Sequence, residues 1–421
     1  MSSFTFIHAA DLHLDSPLAG LETYPDAPVE QIRGATRRAL DNLVDLSIME
    51  QAAFVLLAGD IFDGPWKDFH TALFFAQRMG RLREAGIRVF LVTGNHDAAS
   101  TIGRNFSPPE NVRILSKNRP EQVHLPDLEV SICGQSYSRR EIHADLAAEF
   151  PLAHPHTFSI GLLHTALTGR PGHEPYAPTS VDVLTSKGYA YWALGHVHQR
   201  EIVSQEPWIV FPGAIQGRHI REQGPKGCTV VRVQEGRVDD VQHRDLDVLR
   251  WHTARADVNG CESQEQLWTA VRQALEVAQD AGEGRPVALR LEFVGQTRMH
   301  TWLHDQKQQA VEECRTRAAG LGDVWVEKVR IMTEPEMYST RDIDPDSPVH
   351  GLLQTIEEIC RSHSCTDQIP ELEEMLSRLP LEVRSGPEAF DLSNQEVMEQ
   401  IQEEVKDLLL SRLLRQGGDS C

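Results

Sequence analysis

Five short segments of the chain combine residue types that can hold cations: Asp11-Leu12-His13, Gly59-Asp60-Ile61-Phe62-Asp63, Gly94-Asn95-His96-Asp97, a single His164, and Gly195-His196-Val197-His198. In D-x-H and H-x-H an extended backbone puts both polar side chains on one side and turns Leu12 or Val197 away, so each pair can offer two ligands to one cavity. The glycines before Asp60, Asn95 and His196 permit a sharp turn out of a strand and a close approach of the backbone. Carboxylate, carboxamide and imidazole donors without thiolate suit Mn2+, Fe2+ or Zn2+ rather than a structural zinc site. More than four such donors point to two ions, which a shared carboxylate would hold about 3.5–4 Å apart. Asp, Asn and His also serve as turn formers and caps, which would explain one cluster alone but not five with paired spacing.

The elements that must position these residues are short apolar runs at 4–9, 54–58, 88–92, 130–133, 158–163 and 191–194, most of which end at one of the motifs. They alternate with helical patterns at 31–49, where Ile32, Ala35, Ala39, Leu43 and Leu46 share one side, and at 69–85. This is the sequence habit of an α/β sheet, whose ligands collect at the carboxyl ends of the strands. Strands at 208–211 and 228–233 read as an antiparallel flank. From 251 to 333 the order strand, helix, strand, helix, strand predicts a small α+β domain. A linker is expected at 334–348 and an acidic helical region at 349–421, with apolar spacings at Leu352, Leu353, Ile356 and Ile359 and at Val397, Ile401, Val405, Leu408 and Leu409.

With 40% hydrophobic and 24% charged residues over 421 positions, the composition is that of a soluble globular protein of two or three domains. No apolar run is long enough to span a membrane and the first residues lack the features of a secretory signal, so a cytoplasmic location is expected. Seven scattered cysteines without a C-x-x-C pair fit reduced thiols. Cys360, His363 and Cys365 lack a fourth partner for a metal and read as helix and loop residues. The net charge of −21 argues against binding nucleic acid through bulk charge. Residues 333–421 hold 7 basic and 20 acidic side chains, so the excess is concentrated there, and cations bound in an acidic site would reverse the field locally.

In their order and at these strand ends, the five motifs resemble those of the calcineurin-like metallophosphoesterases. Within that group the chain is similar to the DNA-exonuclease branch that contains bacterial SbcD and Mre11, and most of all to the bacterial YhaO-type DNA repair exonucleases. The resemblance covers residues 4–250 strongly and extends to 333 in pattern only. It implies a four-layer α/β/β/α sandwich at 1–250, a small α+β capping domain at 251–333 and a helical C-terminal tail. It also implies that Asp11, His13 and His198 hold one metal, that Asn95, His164 and His196 hold the other, and that Asp60 bridges them. His96 would give a proton to the leaving oxygen, with Asp97 orienting its ring. The implied activity is in-line hydrolysis of DNA phosphodiester bonds by a dimetal-activated water, in repair or recombination, with two divalent ions, manganese foremost, as cofactors. Archaeal and eukaryotic Mre11 carry a second catalytic histidine where this chain has Asp63. Bacterial SbcD also has an aspartate there, so the nuclease reading stands without a two-histidine mechanism.

Further along, Gln216-Gly217-Arg218-His219-Ile220-Arg221 carries the YhaO-type form of a turn close to the site. Arg218, His219 and Arg221 could contact flanking phosphates, or form a solvated turn with an ion pair of its own. The resemblance further implies a homodimer working with an SbcC/Rad50-like coiled-coil ATPase, docked on 352–359 or 397–414, that delivers DNA. Activity on nucleotides or phosphoproteins, and a metal-binding scaffold subunit of an ATPase complex, are the alternatives.

Overall fold

Strands β1 (Phe4–Ala9), β2 (Phe54–Ala58) and β3 (Arg88–Val92) are buried at nearly every position, as expected of strands covered on both faces. In the computed structural model, which describes residues 3–16, 34–63, 69–99, 108–167 and 176–335 together with Gly351 and Thr355, they lie parallel and continue into a short β4 (Val112–Ile114). A second sheet is built from β5 (Glu121–Leu125), β6 (Val130–Gln135), β7 (Phe158–His164), β8 (Tyr191–Gly195), β9 (Glu201–Gln205) and β10 (Trp208–Phe211), in the order β5-β6-β7-β8-β10-β9. The chain then returns to the first sheet: β11 (Gly227–Gln234) pairs antiparallel with β1, and β12 (Arg237–Asp245) folds back on β11. The first sheet thus runs β12-β11-β1-β2-β3-β4.

Alternation decides what each residue faces. Phe6, Phe54, Leu56 and Phe90 join Ile132, Ile160, Leu162 and Tyr191 in a core between the two sheets. There Phe6 stacks on Phe54 and meets the edge of Tyr191, each at 5.2 Å. Truncating Phe6 to alanine would cost about 3–5 kcal/mol. The intervening residues Ile7, Ala9, Val55, Leu57, Val89 and Leu91 face the other way, onto helices α1 (Ala35–Met49) and α2 (Phe69–Glu84). On the far side of the second sheet, Trp192, Leu194, Ile209 and Phe211 are covered by the segment around the 3-10 turn Ala147–Glu149 and by Leu184 of a short helix between β7 and β8. Helix, sheet, sheet and helix make the expected four layers.

Contacts divide the chain into two compact units, Met1–Ala254 with Glu276–Arg290 and Ala318–Lys328, and Arg255–Leu275 with Leu291–Arg317 and Val329–Cys421. A third sheet has the order β13 (Arg250–Asp257), β14 (Val287–Thr297), β15 (Val324–Pro335). The second helix of the strand, helix, strand, helix, strand order is in fact two, His300–Asp305 and Lys307–Ala319, separated at Gln306. Within the second unit the rings of Trp268 and Trp302 meet edge to face at 5.9 Å. Apart from Glu334, Pro335, Gly351 and Thr355, the expected linker and helical tail, including Cys360, His363 and Cys365, lie outside the described residues. Among the described residues no helix is long and apolar enough to cross a membrane.

Candidate metal centre

Beyond the end of β1 the chain runs beside the segment leaving β2, and three backbone hydrogen bonds tie them together. Asp11 N–H donates to Gly59 O (3.0 Å), His13 N–H to Asp60 O (3.0 Å) and Leu14 N–H to Ile61 O (2.9 Å). The backbone here is not extended, which corrects the expectation for D-x-H. Asp11, His13 and Asp60 have φ of 52°, 42° and 53°, and His196 has 100°, all in the left-handed region. Leu12 and Val197 nonetheless point away, into the layers behind the first and second sheets. Two close approaches need glycine. A Cβ on Gly94 would lie 2.2 Å from Asp60 Oδ1, and one on Gly195 would lie 1.9 Å from Ala58 O.

These contacts gather the motif residues at one place. In each of three sets, Asp11 with His13 and His198, His13 with Asp60 and His96, and Asp11 with Asp60 and His164, one donor atom per residue lies within 4.8 Å of the others. His13 Nε2 is 3.3 Å from His198 Nε2 and 3.8 Å from Asp60 Oδ2. His164 Nε2 is 2.9 Å from Asn95 Oδ1 and 3.4 Å from Asp60 Oδ2. Asp60 therefore faces both groups. The His196 ring lies 5.2 Å from that of His164, while its backbone N–H donates to the Asp11 carboxylate. Tyr176 and Tyr137 meet the edges of His196 and His164 at 5.7 and 5.5 Å.

The hydrogen bonds show whether this donor set fits divalent ions. His164 Nδ1–H donates to Ala58 O (2.9 Å), so its Nε2 presents a lone pair to the Asn95 carbonyl oxygen. His198 Nδ1–H donates to Glu222 Oε1 (2.6 Å), so its Nε2 presents a lone pair to His13, whose own Nδ1 is buried with no hydrogen-bond partner among the described residues. Acceptors 2.9–3.4 Å apart match the spacing of two atoms ligating one ion at about 2.1 Å. Burial lowers His164 to about 3 and likewise lowers His13 and His198, keeping all three rings neutral and able to ligate. Burial also raises the carboxyls of Asp11 and Asp60, the former further through the charge of Asp60. Two buried carboxylates among neutral imidazoles need positive charge beside them, and a pair of divalent ions fits.

His96 sits differently. Its side chain is 36% exposed, against 0% for His13 and His164. Its Nδ1–H donates to Asp63 Oδ1 at 2.6 Å. Burial, the largest single effect, acts to lower the ring, but the bond to Asp63 and the charges of Asp60 and Asp63 together outweigh it and raise the net value. For Asp63 burial acts upward, and the nearby His13 ring at 3.8 Å together with the hydrogen bonds to His96 and Ser16 overrides it to hold the carboxyl well below the usual range. Asp97 does not orient His96, contrary to expectation. Its carboxylate accepts from the backbone N–H groups of Ile61 (3.0 Å), Phe62 (2.9 Å) and Gly94 (3.0 Å), bracing the second and third motifs against each other.

Of the two readings of the later turn, Arg218 follows the one with an ion pair of its own. Arg218 is partly buried at the site, with Nη1 donating to Asp63 Oδ2 (3.2 Å) and Nη2 to Glu222 Oε1 (3.1 Å). His219 Nε2 lies 3.6 Å from the same Glu222 oxygen, and Arg221 is exposed. Glu222 was not singled out by the sequence reasoning. Its only signal was an acidic residue four positions after Arg218.

Layer order, motif order and the clustered donors define a calcineurin-like metallophosphoesterase. The chain belongs to this family of hydrolases, whose members bind divalent metals: the model described as calcineurin-like phosphoesterase matches residues 4–200, and that described as metallophosphoesterase YhaO, middle domain, matches 251–334. Over 425 residues, covering 98% of each chain, it is 33% identical to a Bacillus subtilis protein named uncharacterized metallophosphoesterase YhaO. It is 23% identical over 303 residues to the DNA double-strand break repair protein Mre11 of Sulfurisphaera tokodaii, covering 68% of this chain and 73% of that one. With Mre11 of Methanocaldococcus jannaschii the identity is 27% over 208 residues, covering 46% and 51%.

Proposed function

We propose that the chain is a phosphodiesterase acting on DNA, a nuclease of repair or recombination that uses two manganese ions. The observation that carries the reading is His96, an accessible ring whose Nδ1–H is engaged by Asp63 at 2.6 Å, so that Nε2–H, with no hydrogen bond among the described residues, can meet a basic leaving oxygen. When bound, the two cations would neutralise the phosphate and lower the pKa of the attacking water. Asp11, His13 and His198 would hold one, Asn95, His164 and His196 the other, and Asp60 would serve both. The water oxygen forms the new bond to phosphorus and its proton passes to solvent. As the opposite P–O bond breaks, His96 Nε2–H gives its proton to the departing sugar oxygen, and the ring is reprotonated from solvent. Asp63 holds the ring in that orientation throughout. Such proton donation is worth about 100- to 10,000-fold.

DNA as substrate is supported by the two similar proteins named for DNA double-strand break repair. The net charge of −21 supports delivery of that DNA by a partner, which we take to be an SbcC/Rad50-like coiled-coil ATPase bound by the acidic 349–421 region of a homodimer. The test is cleavage of single- and double-stranded DNA by the manganese-loaded protein, beside nucleotides and a phosphopeptide. DNA cleavage that disappears in His96→Ala while metal content stays at the wild-type level is expected. Turnover of the nucleotides or phosphopeptide alone would overturn the DNA assignment.

A further inference from the structure

We propose that Arg218 is a positioning residue, a strut that fixes the proton-donating ring of His96 against the His198 side of the metal centre. The inference rests on the phosphodiesterase reading above and deepens it. His96 follows β3 in the first sheet and His198 follows β8 in the second, and each ring is held at Nδ1 by a carboxylate, Asp63 and Glu222 respectively, at 2.6 Å. The guanidinium of Arg218 joins those two carboxylates, Nη1 to Asp63 at 3.2 Å and Nη2 to Glu222 at 3.1 Å. Its backbone N–H donates to the other Glu222 oxygen at 2.7 Å, which fixes the base of the strut as well as its tip. The chain His96, Asp63, Arg218, Glu222, His198 is therefore continuous.

The His13 ring lies against both imidazoles, at 4.9 Å from His96 and 5.0 Å from His198, but among the described residues Arg218 alone hydrogen-bonds both carboxylates. Ser16 donates to Asp63 at 2.6 Å and His219 lies 3.6 Å from Glu222, but each touches one carboxylate only. A planar guanidinium presents donors in two directions at once, which a lysine ammonium on a flexible stem does not reproduce. Arg218 is also poorly disposed to hold substrate, since both terminal nitrogens are committed and its side chain is 13% exposed. Its effect should therefore appear in the rate of leaving-group departure and not in substrate affinity.

The test compares Arg218→Ala and Arg218→Lys in the full chain, with the lysine variant as the conservative partner should the alanine variant fold poorly. Turnover is measured on an oligodeoxynucleotide, whose leaving alkoxide needs a proton, and on bis(p-nitrophenyl) phosphate, whose leaving phenolate does not. Both variants should lose about 100-fold in kcat on the oligonucleotide, the loss associated with misplacing a reacting group by about 1 Å. KM should stay within about twofold, and the loss on the nitrophenyl diester should be smaller than on the oligonucleotide. On a His96→Ala background Arg218→Ala should cost nothing further, and added guanidinium ion should restore part of the alanine variant's rate. A full loss on that background, or a raised KM with kcat unchanged, overturns the strut. A readout independent of turnover is the downfield Nδ1–H proton resonance of His96 in the metal-free protein. It should be present in wild type and lost to solvent exchange in Arg218→Ala, and its persistence would overturn the proposal even if the chain hydrolyses no diester, a result that would instead refute the parent reading.

Discussion

Gly94 touches the carboxylate that faces both halves of the metal centre, and Gly94→Ala isolates how much depends on that atom's position. The added Cβ would stand 2.2 Å from Asp60 Oδ1 and 2.9 Å from the Asp60 backbone nitrogen, whereas ordinary contact begins at 3.4 Å. Relief by the side chain alone requires the oxygen to move by 1.2 Å. That oxygen accepts the His96 backbone N–H at 3.0 Å, and its companion lies 3.4 Å from His164 Nε2 and 3.8 Å from His13 Nε2. A shift of this size should lower kcat on a phosphodiester about 100-fold. Overpacking should lower stability by about 1–3 kcal/mol. Steady-state hydrolysis, metal content by mass spectrometry and urea denaturation read the three effects. Gly80→Ala is the matched control: it lies within α2 with nothing within 4 Å of the new methyl, and should raise stability by about 0.5–1 kcal/mol with turnover unchanged. Wild-type turnover and full metal content in Gly94→Ala would refute the reasoning.

Asp97→Asn should destabilise the fold by about 1–3 kcal/mol in urea denaturation, because one carboxamide cannot accept all three N–H groups and its NH2 must oppose one of them. A change in turnover with stability untouched would contradict the bracing role. His8 is fully buried between Tyr191 OH (3.1 Å) and Leu194 O (3.2 Å), and burial lowers it to about 3. Since its folded pKa lies below the unfolded value of about 6.5, it costs no stability above that pH and progressively more as pH falls toward 3. Between pH 8 and pH 5 His8→Gln should lose about 2 kcal/mol less than wild type, and equal losses would exclude His8 as the source. Removing divalent metal with a chelator should lower stability, with manganese at 100 times its dissociation constant restoring about 2.7 kcal/mol, and an unchanged denaturation midpoint would speak against ions bound to the folded state.

What was legible in the sequence follows what is buried. β1, β2 and β3 read clearly because both their faces are covered, which leaves continuous apolar runs. β9 and β12 were missed as strands: both are sheet edges, with Glu201–Gln205 and Arg237–Asp245 mostly polar and half-exposed, and their pairing is dictated by the strand beside them. The same holds for Glu121–Leu125 at the opposite edge of the second sheet. At the site, the clustering of Asp11, Asp60, Asn95 and the histidines could be inferred from strand ends, but the partners of the rings could not. Asn95–Ala99 is a turn of helix, so His96 and Asp97 are successive helical residues and do not face each other. The ring turns instead to Asp63, in the adjoining loop, and His198 to Glu222, 24 positions away, by contacts that exist only once the loops are folded.

The left-handed backbone at Asp11, His13, Asp60 and His196 limits how this centre can change. Aspartate, asparagine and histidine are among the few side chains that tolerate such φ values, and they also supply the oxygen and nitrogen donors for hard and borderline cations. One small alphabet therefore satisfies two demands at each position. Substitution within it can retune which ion is preferred while the loops keep their course. A β-branched residue at any of the four would remove a donor and bend the main chain at once, so drift toward an inactive scaffold should disturb the loops together with the chemistry.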